Sequence, residues 1–271
     1  FTPDAYGYIV RMFNGDNISY ALGDASTAYC GISNIRLWKR SFEKYHLTQT
    51  PENGFGETPL KKYRRHIFLL HPNKVVIYDE LEANEKVRWD WLLHSPVKFD
   101  INPTASILTT VNKEKGFSSV VQLFCEQEAA ITQTDKYAAP PNHADAQRGE
   151  DFTDPWSLTA SFGPSRNNRI LTIIQVEADG RQAVQIMREG NTFRCGEWVI
   201  EAELNAKRPG RLYIRNSRNN AVFSYGDKKP EINGELYSCK EKDASVLFDC
   251  VNGEWMVQEM GDQRVQTMGK W

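Results

Sequence analysis

The residues best suited to ligate a metal or to move a proton near neutral pH are scattered along the chain. The five histidines are His46, His66, His71, His94 and His143, and none shows His-x-His, His-x-x-x-His or His-Glu-x-x-His spacing. The five cysteines contain no Cys-x-x-Cys pair, and no Gly-x-Ser-x-Gly elbow or phosphate-binding loop is present. We therefore predict no metal and no cofactor and assign no catalytic residue, although a site assembled from distant strands stays open.

His94 belongs to a segment, residues 87–94, in which apolar and polar side chains alternate. One face carries Val87, Trp89, Trp91 and Leu93, and the other carries Arg88, Asp90, Leu92 and His94. This period of two predicts a half-buried strand with both tryptophans in the core. At about 3.3 Å per residue, Asp90 and His94 lie roughly 13 Å apart along the strand, too far for a catalytic dyad.

Two basic clusters stand out. The first comprises Lys61, Lys62, Arg64, Arg65 and His66, and the second comprises Lys207, Arg208, Arg211, Arg215 and Arg218. Solvated sheet faces are the ordinary interpretation of such clusters. The functional interpretation is contact with an anionic polymer, because arginine pairs bidentately with carboxylate or sulfate. We predict that Arg64, Arg65 and His94 contact this substrate, whereas Asp79 and Glu80 form an acidic pair facing a turn.

The charge balance indicates which polymer this would be. The 271 residues include 33 Lys plus Arg and 35 Asp plus Glu, giving a formal net charge of −2. Nucleic-acid binders normally carry a broad basic excess, so we predict no nucleic-acid partner. Local basic faces on a near-neutral chain fit a sulfated or uronic polysaccharide better than DNA. No apolar run approaches the roughly 20 residues that span a bilayer, so we predict no membrane span.

The elements that would position these residues are strands. Turn residues predict three hairpins: 65–70 with 75–80 around Pro72-Asn73, 170–176 with 183–187 around Asp179-Gly180, and 246–251 with 254–258 around Asn252-Gly253. No segment keeps a helical period of 3.6 over three turns. We predict an all-β chain: an antiparallel two-layer β-sandwich at residues 1–187, then a smaller C-terminal β-sandwich at residues 188–271. Long irregular stretches at 49–59 and 134–155 are functional or mobile by their length.

Four segments together resemble a known family. They are Gly-Asp-Ala-Ser-Thr-Ala-Tyr at 23–29, Lys-Tyr-Arg-Arg-His-Ile-Phe at 62–68, Val-Val-Ile-Tyr-Asp-Glu at 75–80 and Trp-Leu-Leu-His at 91–94. Their order and spacing resemble the β-sheet region of heparinase II/III-like polysaccharide lyases. The resemblance is weaker as far as residue 176, and residues 245–261 are similar to the small C-terminal sandwich of these proteins.

The resemblance implies a larger enzyme that cleaves a polysaccharide by β-elimination beside a uronic acid. In the family, an N-terminal helical toroid packs against the sandwich, and the polymer binds in the cleft between them. Elimination needs a group that neutralises the carboxylate, a base for the C5 proton and an acid for the leaving oxygen. The family supplies these from Tyr and His or Asn of the toroid and a sandwich His, and some members hold a structural zinc.

This sequence departs from the family upstream of Gly23. The sandwich histidine and zinc ligands belong there, but only 22 residues precede Gly23 and none is His. We therefore carry over no catalytic residue and no metal ligand. We expect a C-terminal part of a bacterial lyase, periplasmic or secreted and inactive without its toroid, or a relative that has lost the chemistry. The alternatives are a non-catalytic carbohydrate-binding or scaffolding sandwich and a sandwich epimerase or mutarotase-like enzyme.

Overall fold

The computed structural model describes residues 7–29, 43–46, 48, 50, 58–136, 155–178, 181–216, 218, 220–226, 230–232, 235–240 and 243–262. Strands dominate these residues and pair antiparallel throughout, which confirms the all-β prediction. Within the described ranges, no helix is long and apolar enough to cross a bilayer. The irregular stretches predicted at 49–59 and 134–155 lie mostly outside the described residues.

Among the described residues, nine strands form the larger sheet. They are β1 Tyr8–Phe13, β2 Ile18–Asp24, β3 Leu60–Leu70, β4 Lys74–Ser95, β5 Asp100–Asn102, β6 Ile107–Asn112, β7 Phe117–Phe124, β8 Ala129–Thr134 and β9 Trp156–Ala178. Their order is β1-β2-β3-β4-β9-β7-β6-β5, and β8 pairs with the free part of β9.

In the part of the chain that the structure describes, seven strands form the second sheet, and two more form a separate hairpin. The sheet contains β10 Met187–Glu189, β11 Thr192–Cys195, β12 Trp198–Ala202, β13 Leu212–Asn216, β14 Ala221–Tyr225, β17 Ser245–Val251 and β18 Glu254–Met260, in that order. The hairpin joins β15 Glu231–Ile232 to β16 Glu235–Leu236.

The two sheets pack face to face through one apolar cluster. Phe68 and Leu70 of the larger sheet share this cluster with Ile200, Ile214 and Phe223 of the second sheet, and all five are fully buried. The chain passes from one sheet to the other between Ala178 and Met187, close to the predicted boundary at residues 187 and 188. The two sheets share this core. The division of the chain into two separate sandwiches stays a prediction.

A bulge in β1 directs a charged side chain into this shared layer. The register with β2 shifts between Ile9 and Arg11, so the consecutive residues Val10 and Arg11 are both buried. A bulge commonly re-aims a side chain in this way. Arg11 thereby joins the polar groups between the sheets.

The long strands β4 and β9 fold back over the other face of the larger sheet. Their mutual register is irregular between Glu82 and Trp89. A second apolar cluster then unites Leu81, before the irregularity, with Trp89 and Trp91, after it. The two tryptophans are 9% and 4% exposed, which confirms the prediction that they belong to the core.

Two of the three predicted hairpins are confirmed. β3 and β4 pair on either side of residues 71–73, and β17 and β18 pair around Asn252 and Gly253, whose φ angles are 53° and 85°. Such left-handed angles suit a tight hairpin turn.

The hairpin predicted between 170–176 and 183–187 is wrong. Met187 begins β10, which pairs with β11, and residues 183–186 form no strand. The side-chain amide of Gln175 pairs instead with the backbone N–H and C=O of Val184, at 3.1 and 2.9 Å. The predicted turn residues 179 and 180 lie outside the described residues.

Candidate functional site

The structure separates the three residues predicted to contact substrate. Arg64 and Arg65 are consecutive on β3 and therefore lie on opposite faces of the sheet. Arg64 pairs with Asp262 and, at 3.3 Å, with Asp24, on the side of the second sheet. His94 lies near the far end of β4.

Arg65 faces the folded-back side and is held by a carboxylate. Its Nε and Nη2 donate to the two carboxylate oxygens of Asp79 at 2.6 and 2.9 Å. Burial favours the neutral form of Arg65, but this pairing outweighs it and raises the pKa of the guanidinium. Because Asp79 is almost fully buried and the Arg65 side chain is 32% exposed, solvent reaches the guanidinium but not the carboxylate that compensates its charge.

His94 stands apart from both arginines. It is exposed, and its Nε2 lies 3.4 Å from the Ser157 hydroxyl across the strand pair. Among the described residues, no hydrogen bond or ion pair joins His94 to Arg64 or Arg65. The three residues therefore do not converge as the side chains of a catalytic centre do.

Between the sheets, Glu80 is the centre of a buried polar network. Its Oε1 accepts a hydrogen bond of 2.8 Å from the Tyr225 hydroxyl and lies 3.2 Å from His66 Nε2. Its Oε2 lies 3.2 Å from both Lys62 Nζ and Arg169 Nη2. Four groups thus share one carboxylate that has no exposed surface.

The prediction that Asp79 and Glu80 form an acidic pair facing a turn is therefore wrong. Both carboxylates lie within β4, 1% and 0% exposed, on opposite faces of the sheet. Each is paired with a basic residue of β3, the neighbouring strand: Asp79 with Arg65, and Glu80 with His66 and Lys62. Such side-by-side pairing of opposite charges on adjacent strands stabilises a sheet.

The His66 imidazole is satisfied at both nitrogens. Its Nδ1 lies 3.1 Å from the Tyr20 hydroxyl, which in turn lies 3.2 Å from the Ser245 hydroxyl. Arg11 Nη1 donates to that serine oxygen at 2.9 Å. A neutral ring that donates from Nε2 to Glu80 and accepts from Tyr20 at Nδ1 completes the chain of hydrogen bonds.

The protonation states follow from burial. Burial lowers the pKa of His66, against the opposing effect of Glu80, so the ring is neutral at pH 7. Burial alone would raise the pKa of Glu80, but His66, Arg169 and Lys62 together hold it well below its usual range. Burial also raises the pKa of the Tyr20 hydroxyl. The network therefore consists of one carboxylate among cations and neutral donors, and it has no exposed base for a polymer substrate.

The same network does not suit a metal. Among the residues that the structure describes, no group of three or more His, Cys, Asp or Glu side chains is placed to hold an ion. Glu80 contributes one carboxylate, and the cationic groups of Lys62 and Arg169 already occupy it.

A cavity of about 500 Å³ opens on the folded-back side of the larger sheet. Its aromatic lining comes from Tyr29, Tyr63, Trp89 and Trp91, and its charged lining from Arg65, Asp79 and Asp90; aliphatic residues complete it. Sequence analysis did not identify this cavity, because its walls come from four separate parts of the chain: Tyr29, residues 59–65, residues 79–92 and Ile170. The sequence contains one signal for the cavity. Tyr63 and Arg65 are two residues apart on one strand and therefore share a face, beside the strand with the alternating tryptophans.

The second basic cluster is partly neutralised by its neighbours. Arg208 lies 3.4 Å from Glu203, and Arg218 lies 3.4 Å from Glu197. Tyr213, which lies on the same face of β13 as Arg215 because strand residues alternate, is 6% exposed and packs in a small apolar cluster with Val222, Val246 and Phe248. The cluster therefore forms no continuous cationic surface along β13.

Comparison with known proteins yields a similarity of fold. No family model matches the chain, and no curated protein matches it. A solved heparinase III gene product with methylated lysines is similar, with a TM-score of 0.50 at 10% identity over 78% of this chain and 26% of that chain. A second solved heparinase III gene product gives a TM-score of 0.49 at 12% identity, over 78% of this chain and 28% of that one.

A solved heparan sulfate lyase HepC from Pedobacter heparinus is also similar. Its TM-score is 0.46 at 9% identity, over 86% of this chain and 27% of that chain. This chain thus spans about a quarter of the length of the solved structures it matches. At these identities the comparison establishes a relationship of fold to heparinase III.

Proposed function

We propose that this chain is the C-terminal β-sandwich region of a heparinase II/III-like polysaccharide lyase. The observation that carries the proposal is the shared fold with heparinase III over 78% of this chain but only 26% of the solved protein. A helical toroid of the same full-length protein would supply the rest of the cleft. The protein would be periplasmic or secreted, because polysaccharide substrates of this kind are found outside the cytoplasm.

In this proposal the chain contributes binding rather than turnover. Elimination needs a base, an acid and a group that neutralises the uronate, all held together. Within the described part of the chain, the one buried histidine with a carboxylate partner is His66, which is enclosed between the sheets and hydrogen-bonded at both ring nitrogens. Arg64, Arg65 and His94 are assigned to substrate contact.

The expected binding is weak. Arg64 and Arg65 are each paired with a carboxylate of the chain, which lowers the charge they offer to a polymer. Exposed pairs contribute under about 1 kcal/mol each and are screened by salt. Affinity for an anionic polysaccharide should therefore fall as ionic strength rises.

The test mixes the purified chain with heparan sulfate, alginate and a neutral glucan. We expect no ultraviolet absorbance from an unsaturated uronate, and salt-sensitive binding to the two anionic polymers alone. Appearance of that absorbance would refute the assignment as an inactive part of a lyase. Equal, salt-independent binding to the neutral glucan would refute the electrostatic contact.

A matched pair of variants locates the contact. Arg65→Lys keeps the charge beside Asp79 but loses the bidentate fork, so affinity for heparan sulfate should fall a few-fold. The exposed Arg181 lies in the segment between the sheets, and Arg181→Lys should leave the affinity unchanged. Equal effects of the two variants would remove Arg65 from the binding surface.

A non-catalytic carbohydrate-binding protein is the second candidate. The cavity with aromatic walls favours it, because such a site needs no toroid to bind a ligand. Saccharide affinity that is the same with and without the upstream part of the protein would favour this function over the first.

A further inference from the structure

We propose that the cavity beside Tyr63 is a binding site for an uncharged sugar unit. Its volume of about 500 Å³ lies within the roughly 300–1,000 Å³ typical of small-molecule sites, and a single pyranose or a disaccharide fits such a space. The lining combines a majority of apolar side chains with a few polar ones, which is the usual composition of such sites. The inference does not rest on the proposed lyase function.

The aromatic walls offer flat surfaces to a sugar ring. Tyr29 and Tyr63 lie with ring centroids 5.8 Å apart and planes inclined by 33°. Tyr29 is 57% exposed, so its ring is accessible from solvent. Because a pyranose has an apolar C–H face and hydroxyls at its rim, it matches an amphipathic aromatic surface.

The two indoles border the cavity but expose little surface to it, 9% for Trp89 and 4% for Trp91. Trp89 Nε1 donates to the backbone oxygen and the hydroxyl of Ser165, both at 3.1 Å. Trp89 and Trp91 are fixed in the apolar cluster of the folded-back layer. The walls are therefore built before any ligand arrives, which lowers the entropic cost of binding.

The charges in the cavity argue against an ionic ligand. One arginine, Arg65, stands against two aspartates, Asp79 and Asp90, so the lining offers no uncompensated cation to a uronate or sulfate. An organic cation would compete with Arg65, whose guanidinium carbon already lies 5.6 Å from the Tyr63 ring centroid. Hydroxyl groups, in contrast, both donate to carboxylates and accept from guanidinium N–H groups.

The polar groups are also fixed in position. The pairing with Asp79 uses two of the five N–H donors of the Arg65 guanidinium. Asp90 accepts from the Ser161 hydroxyl at 2.7 Å and pairs with Arg88 at 2.9 Å. Oriented donors and acceptors beside an apolar platform distinguish one arrangement of sugar hydroxyls from another.

The experiment uses the tryptophans of the cavity as reporters. The full chain is titrated with the methyl glycosides of glucose, galactose, mannose and N-acetylglucosamine, and with glucuronate, while tryptophan emission is recorded. At least one neutral glycoside should give a saturable change, with a dissociation constant of about a millimolar for a ligand of this size. Glucuronate should bind at least about 5-fold more weakly.

Two variants test the position of the site. Tyr29→Ala removes an exposed ring and should weaken binding about 10-fold, as expected for loss of one stacked aromatic contact. Tyr45→Ala removes a ring that is 65% exposed and does not line the cavity, so binding should not change. Thermal melting verifies that each variant folds.

Three results would overturn the proposal. The first is the absence of a saturable change with every neutral glycoside. The second is equal weakening by Tyr29→Ala and Tyr45→Ala, and the third is tighter binding of glucuronate. Since the lyase proposal predicts binding of anionic polymers and is tested with them, either proposal can fail while the other stands.

Discussion

The two faces of the nine-stranded sheet are covered in different ways. The second sheet closes one face, and the polar groups there are enclosed around Glu80. The sheet's own long strands fold back over part of the other face and leave a cavity of about 500 Å³. Arg64 and Arg65 show the consequence: adjacent in sequence, they lie on opposite faces of the sheet, where Arg64 pairs with the half-exposed Asp262 and Arg65 lines the cavity.

Burial alone therefore does not mark a functional site in this protein. Glu80 and His66, whose pKa values are both lowered, have no exposed surface and bind each other and their neighbours. Solvent reaches polar groups on the other face of the larger sheet, at the cavity that its covering strands leave open. A group with a shifted pKa can therefore have a structural role, because ion-pair networks that only stabilise a fold also shift pKa values.

The greatest loss of stability is expected in the folded-back layer. Trp91→Ala should lower the free energy of unfolding by about 3–5 kcal/mol, because a large indole leaves a cavity in a packed cluster. The neighbouring exposed Leu92 is the control, and Leu92→Ala should cost under about 0.5 kcal/mol. Urea unfolding measures both values. Similar costs would mean that the folded-back layer is not a packed core.

Next in size is the loss of the buried carboxylate between the sheets. Glu80→Gln should cost about 3 kcal/mol, since it leaves the buried guanidinium of Arg169 without a counter-charge. Glu82→Gln is the matched control: Glu82 is 31% exposed and lies 3.7 Å from Lys62 Nζ, so its loss should cost under about 1 kcal/mol. If the two variants unfold at the same urea concentration, the network contributes little.

The enclosed face should also make stability depend on pH. The folded-state pKa of His66 is lowered, so unfolding binds protons and stability falls as pH drops through about 6.5 and below. The lowered pKa of Glu80 acts in the same direction at more acidic pH. The slope for one proton is at most about 1.4 kcal/mol per pH unit.

Substitution of histidine isolates this dependence. His66→Gln should flatten the fall in unfolding free energy between pH 7.5 and 5.5, although it lowers stability at every pH. His94→Gln, at an exposed position, should keep the slope of the unchanged protein. The same slope in both variants would show that His66 does not titrate on unfolding in this range.

The smallest effect tests the edge of the covering sheet. Gly253→Ala should cost about 1 kcal/mol, because alanine is strained at a φ of 85° in the turn between β17 and β18. Gly163→Ala is the control, since an added methyl there meets nothing closer than 3.9 Å and its φ is not left-handed. Differential scanning calorimetry should show a lower melting temperature for Gly253→Ala alone. A decrease of the same size in both would remove the turn as its cause.

Local sequence patterns predicted the strands and turns. The candidate site, in contrast, depends on pairs of residues that are far apart in the sequence. Alternation predicted correctly that Trp89 and Trp91 share a buried face, and Asn252-Gly253 predicted its hairpin, because neighbours in sequence determine both. Glu80 escaped prediction because its partner Tyr225 is 145 residues away. No spacing rule connects them.

The sequence contains a signal for the bend of β4. Asn84, Glu85 and Lys86 are all exposed and interrupt the alternation between Leu81 and Trp89. Three polar residues in a row are incompatible with a strand that keeps one face buried, so they mark the position where β4 bends. The cavity could not have been predicted even so, because Tyr29 and Tyr63 reach it from other strands and turns.

The bulge of β1 has a consequence for how the protein behaves in a crowded solution. β1 is the outermost strand of the larger sheet and exposes Ile9 and Met12, 59% and 63% accessible. A regular edge of this kind would invite another chain to add a strand and seed aggregates. The register shift at Ile9 and Arg11 breaks the row of outward N–H and C=O groups, and Arg11 turns inward with it. One extra backbone residue thus both anchors an internal cation and guards against intermolecular pairing.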